Sequence, residues 1–296
     1  MIQVRRLGHA TFGVSDLERQ VDYWCHIMGL VVVDRSPRRV VLATRLGYEA
    51  VALEAGAPGE LKRLSFQVAP GSDLGELARN LSAHGVRSER ATGISPGVEA
   101  CLSFTDPKGT LIDVYADYRL SNDDGRDPVI SPLKFGHIAY RVKDAKRITD
   151  FYIDVLGFRM SDWIGDHFSF LRCGPDHHTV NFARYPEEKL HHIAFEVKDV
   201  ATLHRACDFL ARNKIQLVWG PIRHIVGHNI AAYHRNPDDI RVELYCELDM
   251  MMDESLGYFE PRPWHEDRPQ RPKVWPQDTW RAQWGFGSFG QFPGYP

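Results

Sequence analysis

The chain has 296 residues, of which 43% are hydrophobic and 25% charged, and its formal net charge is -3. This composition is typical of a globular protein with a sizeable core, and it lacks the basic excess expected for a nucleic-acid partner. No apolar run approaches the roughly 20 residues of a membrane span, so no membrane partner is expected. Five scattered cysteines without a C-x-x-C pair, and no secretory signal, favour a reduced cytoplasmic protein.

Four segments of the chain share one pattern, in which a strand is followed by a helix and then by further strands. The first opens with LGHATFGVSD, the second with LKRLSFQVAP, the third with FGHIAYRVKD and the fourth with HHIAFEVKD. The second and fourth end in a common form, a proline followed six residues later by an acid, at Asp113 and Glu243. Segments in which apolar and polar residues alternate predict the strands. Segments in which apolar residues recur every three or four positions predict the helices. The sequence therefore predicts an α+β fold of four βαβββ units.

Polar residues at the expected helix starts support this division. Ser15 and Glu18 form a capping-box pattern before the first helix, and Asp144 and Asp199 can cap the helices of the third and fourth units. We therefore expect a helix to begin directly after each of these positions.

Two changes in composition divide the chain into three parts. Residues 121–132 are rich in Gly, Pro and Asp, and their apolar residues recur at no regular spacing. This segment is therefore predicted to be a linker between a domain at 1–120 and a domain at 133–249. Residues 250–296 are rich in Pro, Gly, Arg and Trp and cannot form a core of their own. Because tryptophan is costly to leave in water, we expect this tail to wrap over its own second domain or a neighbouring subunit. A disordered tail is the alternative.

The third and fourth units place a histidine at matching positions in a strand. Aligning HIAYRVKD with HIAFEVKD pairs His137 with His192 and leaves His191 on the apolar side. Glu243 alternates with apolar residues on the last strand. Two imidazoles and a carboxylate from three strands can form a facial metal triad with open positions for substrate and dioxygen. The alternative is two core histidines and a half-exposed glutamate.

Together with PDHHTVNFARY and RHIVGHNIAAYHRNP, these motifs resemble the two-domain type I extradiol catechol dioxygenases of the vicinal oxygen chelate superfamily. The similarity covers roughly residues 5 to 250. It implies two domains, each a curved mixed sheet around a pocket, and a homo-oligomer. It also implies that His137, His192 and Glu243 bind Fe(II), or less commonly Mn(II), with O2 as cosubstrate and a catechol as substrate.

The resemblance assigns further residues to the reaction. His178 matches the acid/base histidine of the family, and His224 and Tyr233 match its hydrogen-bonding partners of substrate. The implied product of ring cleavage is of the 2-hydroxymuconic semialdehyde type. The candidate substrate-binding residues are His228, Trp219, Arg268 and Phe168.

The first half of the chain serves as an internal comparison. His9 keeps the place of the first ligand, but Arg63 stands at the place of His192 and Asp113 at that of Glu243. An arginine cannot act as a ligand, so this half is expected to be metal-free and structural.

Two questions stay open at this level. Tail arginines reaching the pocket favour a carboxylated catechol, whereas an apolar pocket favours an alkyl or aryl catechol. The alternatives to ring cleavage are a glyoxalase-like metal-dependent isomerase or lyase and a non-enzymatic small-molecule-binding protein of the same superfamily.

Overall fold

The computed structural model describes residues 2–259, 272–280 and 282–285. The chain divides into two compact units. The first comprises Met1–Phe135, Arg147–Phe158 and Asn236–Ile240, and the second comprises Gly136–Lys146, Arg159–Arg235 and Arg241–Pro296.

The first half of the chain forms an eight-stranded mixed sheet in the order β2-β3-β4-β1-β5-β8-β7-β6. Strand β1 pairs in parallel with β4 and antiparallel with β5, and β5 pairs in parallel with β8. Two βαβββ units therefore meet at the β1–β5 pair. The elements are β1 (Arg6–Val14), α1 (Leu17–Asp22, continued by a π-helical turn at Tyr23–Ile27), β2 (Val31–Arg35), β3 (Arg39–Ala43), β4 (Glu49–Ala55), β5 (Leu61–Gln67), α2 (Leu74–Ala83), β6 (Glu89–Ser95), β7 (Val98–Thr105) and β8 (Leu111–Tyr115).

The second half repeats this arrangement in a ten-stranded sheet of order β19-β10-β11-β12-β9-β13-β16-β15-β14-β20. Its central pair, β9 and β13, corresponds to β1 and β5. The prediction of four βαβββ units in two mixed sheets is therefore confirmed. The elements are β9 (Lys134–Val142), α3 (Ala145–Asp154), β10 (Arg159–Ile164), β11 (Phe168–Arg172), β12 (Val180–Arg184), β13 (Lys189–Glu196), α4 (Val200–Arg212), β14 (Leu217–His224), β15 (Ile230–Arg235) and β16 (Arg241–Cys246).

The helices bury the apolar stripes that the sequence predicts. Ile148 and Tyr152 of α3 and Val155 just after it are buried, and on α4 Leu203 and Leu210 are fully buried. These stripes cover the sheets with side chains at three- and four-residue spacing, which is the arrangement that drives amphipathic helices to pack.

The predicted cap of α4 is confirmed, and that of α1 is wrong by one residue. The Asp199 carboxylate accepts from the Thr202 backbone N–H at 2.7 Å. At α1 the cap is Asp16, which accepts from the Arg19 N–H at 3.1 Å. The Ser15 hydroxyl instead donates to Asp238 at 2.7 Å, because a carboxylate outside the helix offers it a charged acceptor.

Residues after Glu247 form four short strands, two of which lie at the edges of the second sheet. β17 (Met251–Asp253) and β18 (Tyr258–Phe259) form a hairpin, while β19 (Lys273–Trp275) pairs with β10 and β20 (Ala282–Trp284) pairs with β14. The described parts of the tail are therefore ordered against the second unit of the same chain. Among the described residues, no helix has the length and apolarity to cross a membrane.

His9 predicts how the stability of the fold depends on pH. It is 1% exposed, and burial, followed by the charges of Arg39 and Arg63, lowers its pKa to about 3. The unfolded chain, with a pKa near 6.5 at this residue, binds a proton that the folded chain excludes as pH falls from 6.5 towards 3. The contribution of His9 to the free energy of unfolding is therefore present above pH 6.5. About 2 kcal/mol of this contribution is lost between pH 7 and pH 5.

Urea unfolding at these two pH values measures this loss. His9→Gln removes about 2 kcal/mol of the pH-dependent difference, whereas His84→Gln, at an exposed helix end, leaves it unchanged. An equal difference in the wild type and His9→Gln would contradict the assignment.

Candidate active site

Three neighbouring strands of the second sheet bring together His137, His192 and Glu243. β13 and β16 run in parallel with Ala194 opposite Glu243, and β9 lies on the other side of β13. The His137 and His192 Nε2 atoms are 3.3 Å apart, and each is 3.1 Å from the Glu243 Oε2 atom. All three residues are buried. Their ligand-type atoms thus converge on one point in the interior.

The spacing and charge of this group fit a divalent metal ion. Ligand atoms about 2.1 Å from one ion at adjoining positions lie roughly 3.0–3.4 Å apart, as these atoms do. Burial lowers the pKa of the His192 imidazole, which keeps a lone pair available. Burial alone raises the pKa of the Glu243 carboxyl, but His137 and His192 hold it well below its ordinary value. Neutral imidazoles and an ionised carboxylate are the states that metal binding requires.

Two neighbouring side chains orient the candidate ligands. The Asn229 amide donates from Nδ2 to Glu243 Oε1 at 2.9 Å, which leaves Oε2 towards the histidines. The Nδ1 atoms of His191 and His192 lie 2.6 Å apart. Both rings border the same cavity, so the expected separation of His191 onto the apolar face does not hold at the start of β13. Outer partners of this kind fix the orientation of a ligating imidazole.

His178 lies beside the candidate ligands, just before β12. It is 3% exposed, and its ring centroid is 4.5 Å from that of His137. Burial, reinforced by His137 and His177, lowers its pKa well below the ordinary value, so the imidazole is neutral. A neutral histidine beside a substrate site can accept a proton and later return it.

Tyr233 and His224 form a hydrogen-bonded pair across the cavity. The Tyr233 hydroxyl lies 2.8 Å from His224 Nε2, and Tyr233 stands opposite Glu243 in the β15–β16 register. Burial, followed by the charge of Glu243, raises the pKa of Tyr233 well above its ordinary value. The phenol therefore stays protonated and keeps a hydrogen to donate. Trp219 stacks on the Tyr233 ring with centroids 5.1 Å apart.

These groups surround a cavity of about 280 Å³. This is close to the lower end of the roughly 300–1,000 Å³ found for drug-sized ligands, and it suits a small aromatic molecule. Trp280 of the tail also borders the cavity, and so do two cationic side chains, Arg141 and Arg241. The apolar wall consists of Ile164, Phe168, Phe170, Trp219 and Val226.

The structure brings most of the predicted site residues to this one cavity. His228 is not part of its lining; its Nδ1 lies 2.7 Å from the Asp249 carboxylate. Arg268 lies outside the described residues, so its role stays a prediction, as do the individual roles of the others. The predicted residues that line the cavity are His137, His178, His192, Trp219, His224, Tyr233, Glu243 and Phe168.

Residues at or near the site that were not predicted include Phe170, Asp162 and His177. Phe170 lies in the same cavity wall as Phe168. Because alternate residues of a strand face the same side, the position of Phe168 on β11 predicts that Phe170 faces the cavity too. Asp162 and His177 form a buried contact behind His178, with His177 Nε2 at 3.2 Å from Asp162 Oδ2. No sequence signal identifies this contact, because it joins β10 to a loop between two other strands.

The first sheet shows what has replaced the metal group there. Ser65 pairs with Asp113 where Ala194 pairs with Glu243, so the register places Arg63 at the position of His192. Arg63 Nη1 donates to both Asp113 carboxylate oxygens, at 3.0 and 2.8 Å. An ion pair thus occupies the place of two ligands.

A family model for the Glyoxalase/Bleomycin resistance protein/Dioxygenase superfamily matches residues 6–114 and 134–244. The chain belongs to this superfamily. The two matched ranges correspond to the two sheets, so the superfamily fold occurs once in each half.

Relatives in this superfamily agree with the resemblance seen in the sequence. A metapyrocatechase from Pseudomonas sp. strain CF600 is 26% identical, covering 83% of this chain and 87% of its own. An iron-dependent extradiol dioxygenase from Rhodococcus jostii is 24% identical, covering 86% and 93%. The crystal structure of a Mn(II)-bound glyoxalase from Novosphingobium aromaticivorans is 25% identical, with a TM-score of 0.84 over 98% of this chain and 94% of its own. The predicted resemblance to extradiol dioxygenases is confirmed.

Metal binding by single variants tests the candidate ligands. We expect wild type to bind one Fe(II) or Mn(II) per chain, and His192→Ala to lose affinity by more than about 100-fold, beyond the effect typical of outer contacts. His204→Ala, on the exposed face of α4, is the matched control and retains wild-type binding. Anaerobic loading followed by metal analysis makes the comparison. Full metal content in His192→Ala would exclude this residue as a ligand.

Proposed function

We propose that this protein cleaves a catechol ring by extradiol insertion of O2. The observation that supports this most directly is the convergence of His137, His192 and Glu243 on one cavity that also holds His178 and Tyr233. Three ligands leave coordination positions for both reactants, and the other two residues supply proton transfer and a hydrogen-bond donor. The product is then of the 2-hydroxymuconic semialdehyde type.

His137, His192 and Glu243 would hold the metal, as Fe(II) or alternatively Mn(II). When bound, the ion brings the catechol and O2 together and lets electron density pass from the ring to oxygen. The contribution of the chain is to keep the His192 imidazole neutral and to orient Glu243 through Asn229.

His178 carries the proton transfers in this proposal. Ring cleavage adds the two atoms of O2 to a catechol without a net change in hydrogen, so a group that accepts a proton from the substrate must return it. The lowered pKa of buried His178 leaves it neutral and able to accept first. Once protonated in a buried place, it is a strong donor, which favours return of the proton when charge develops on oxygen.

Tyr233 and His224 hold the oxygen-bearing side of the substrate. The Tyr233 phenol keeps its proton, and a His224 that donates from Nε2 to the phenol oxygen at 2.8 Å leaves that proton for the substrate. A donor held in place before the reaction stabilises developing negative charge without reorganisation. Phe168, Phe170 and Trp219 surround the ring and exclude water.

A metal-dependent isomerase or lyase is the second candidate, because one similar structure is that of a glyoxalase. Such a reaction consumes no O2, so oxygen uptake separates the two. The homo-oligomeric state and the cytoplasmic location stay predictions.

Oxygen uptake after anaerobic reconstitution tests the proposal. We expect Fe(II)-loaded protein mixed with air and catechols, both alkyl- or aryl-substituted and carboxylated, to consume one O2 per catechol and form a yellow product. The metal-free protein is the control. Absence of colour and oxygen uptake with every catechol would overturn the proposal and favour the isomerase or a binding protein.

His178→Ala tests the proton-transfer role separately from metal binding. We expect the variant to retain the metal and to lose about 100-fold or more in kcat, which is within the usual contribution of general acid–base catalysis. Stopped-flow kinetics with matched metal content measures this. A kcat equal to that of wild type would rule out His178 as the proton carrier.

A further inference from the structure

A series of buried polar groups leads away from the cavity behind His178. His178 Nδ1 lies 3.0 Å from His177 Nδ1, and His177 Nε2 lies 3.2 Å from Asp162 Oδ2. The three side chains are 3%, 1% and 4% exposed, so water does not compete for these contacts. Within the described part of the chain, nothing hydrogen-bonds to the remaining His178 nitrogen, Nε2, which is therefore the atom left for substrate.

The far end of the series is held by the tail. The Lys273 backbone N–H donates to Asp162 Oδ1 at 2.9 Å, and the Trp275 indole N–H donates to Asp162 Oδ2 at 2.7 Å. Both groups belong to β19, which pairs with β10 beside Asp162. Amide and indole N–H groups can only donate, so both oxygens of Asp162 act as hydrogen-bond acceptors.

The direction of each hydrogen bond follows from this carboxylate. Because both Asp162 oxygens accept, His177 donates from Nε2. With its ring proton on Nε2, His177 has its lone pair on Nδ1 and accepts from His178 Nδ1–H. His178 is thereby held as the Nδ1–H tautomer, with the Nε2 lone pair free.

We propose that Asp162 and His177 are positioning residues that fix the orientation and tautomer of His178, and that Trp275 of the tail completes the series. The kinetic consequence rests on the proposed function, whereas the tautomer does not. A His178 held with a lone pair on Nε2 starts the reaction as a proton acceptor. The tail strand β19 therefore acts on the site through Asp162, from which Trp275 is 113 positions away along the chain.

Asp162→Asn tests the series with little change in shape. Asn offers one acceptor oxygen to the three nitrogen groups that meet Asp162 and places an NH2 group among them, so the tautomer of His178 is no longer held. We expect kcat to fall about tenfold or more, with KM and metal content close to wild type. Asp166→Asn, an exposed aspartate of the same hairpin, is the matched control and retains wild-type kcat. Wild-type kcat in Asp162→Asn would overturn the proposal.

Nitrogen-15 NMR of the zinc-loaded, histidine-labelled protein reads the tautomer without turnover. We expect the His178 signal, assigned with His178→Gln, to show Nδ1–H alone in wild type and a mixture of Nδ1–H and Nε2–H in Asp162→Asn. An Nε2–H tautomer in wild type would overturn the proposal even if the enzyme is active. If wild type cleaves no catechol but shows Nδ1–H, the proposed function fails and the positioning series stands.

Trp275→Phe tests the contribution of the tail and provides a second variant if Asp162→Asn does not fold. It removes the indole donor and keeps an aromatic ring. We expect a smaller loss of kcat than in Asp162→Asn, with unchanged metal content, and no loss in Trp284→Phe, which is partly exposed on β20. Equal kcat in Trp275→Phe and wild type would remove the tail from the proposal.

Discussion

The site depends on a buried carboxylate that is placed between two imidazoles by the register of three strands. Glu243 is 1% exposed, and a charge so far from water is costly unless it is paired. Its oxygens contact the Asn229 amide and the His137 and His192 nitrogens, all at about 3 Å. A divalent cation at the centre of this group would compensate the charge. The second sheet therefore contains a buried position that suits a cation.

The duplicated architecture shows how the corresponding buried carboxylate of the first sheet is paired with an arginine. In the first sheet, the Arg63 guanidinium pairs with Asp113 and supplies the positive charge directly. His9 keeps the place of His137, but its nearest acid is Glu49, at 3.7 Å. Because burial keeps His9 neutral, it gives the first sheet no charge of its own. One half of the chain thus carries the chemistry, and the other carries the same fold with its charges balanced internally.

The repeated pattern allowed the four βαβββ units to be predicted, since each strand and helix has its own apolar period. Aligning the two histidine strands also selected His192 over His191, because backbone register decides which side chain reaches a neighbouring strand. Contacts that depend on loops were not predictable. The Asp162–His177 pair and the Ser15–Asp238 hydrogen bond each join two segments that share no motif. The pairing of the tail with β10 and β14 is of the same kind, because its Trp-rich composition indicates burial but not the edge against which it packs.

Oxygen-18 labelling tests whether both reactants meet at one metal held by His137, His192 and Glu243. The Fe(II)-loaded protein is incubated with a catechol under oxygen-18 gas, and the mass of the ring-cleaved product is determined by mass spectrometry. We expect both atoms of one O2 molecule to appear in the product, apart from any oxygen that exchanges with water. We expect His192→Ala to form no ring-cleaved product. A converted substrate without labelled oxygen, or the same labelled product from His192→Ala, would contradict it.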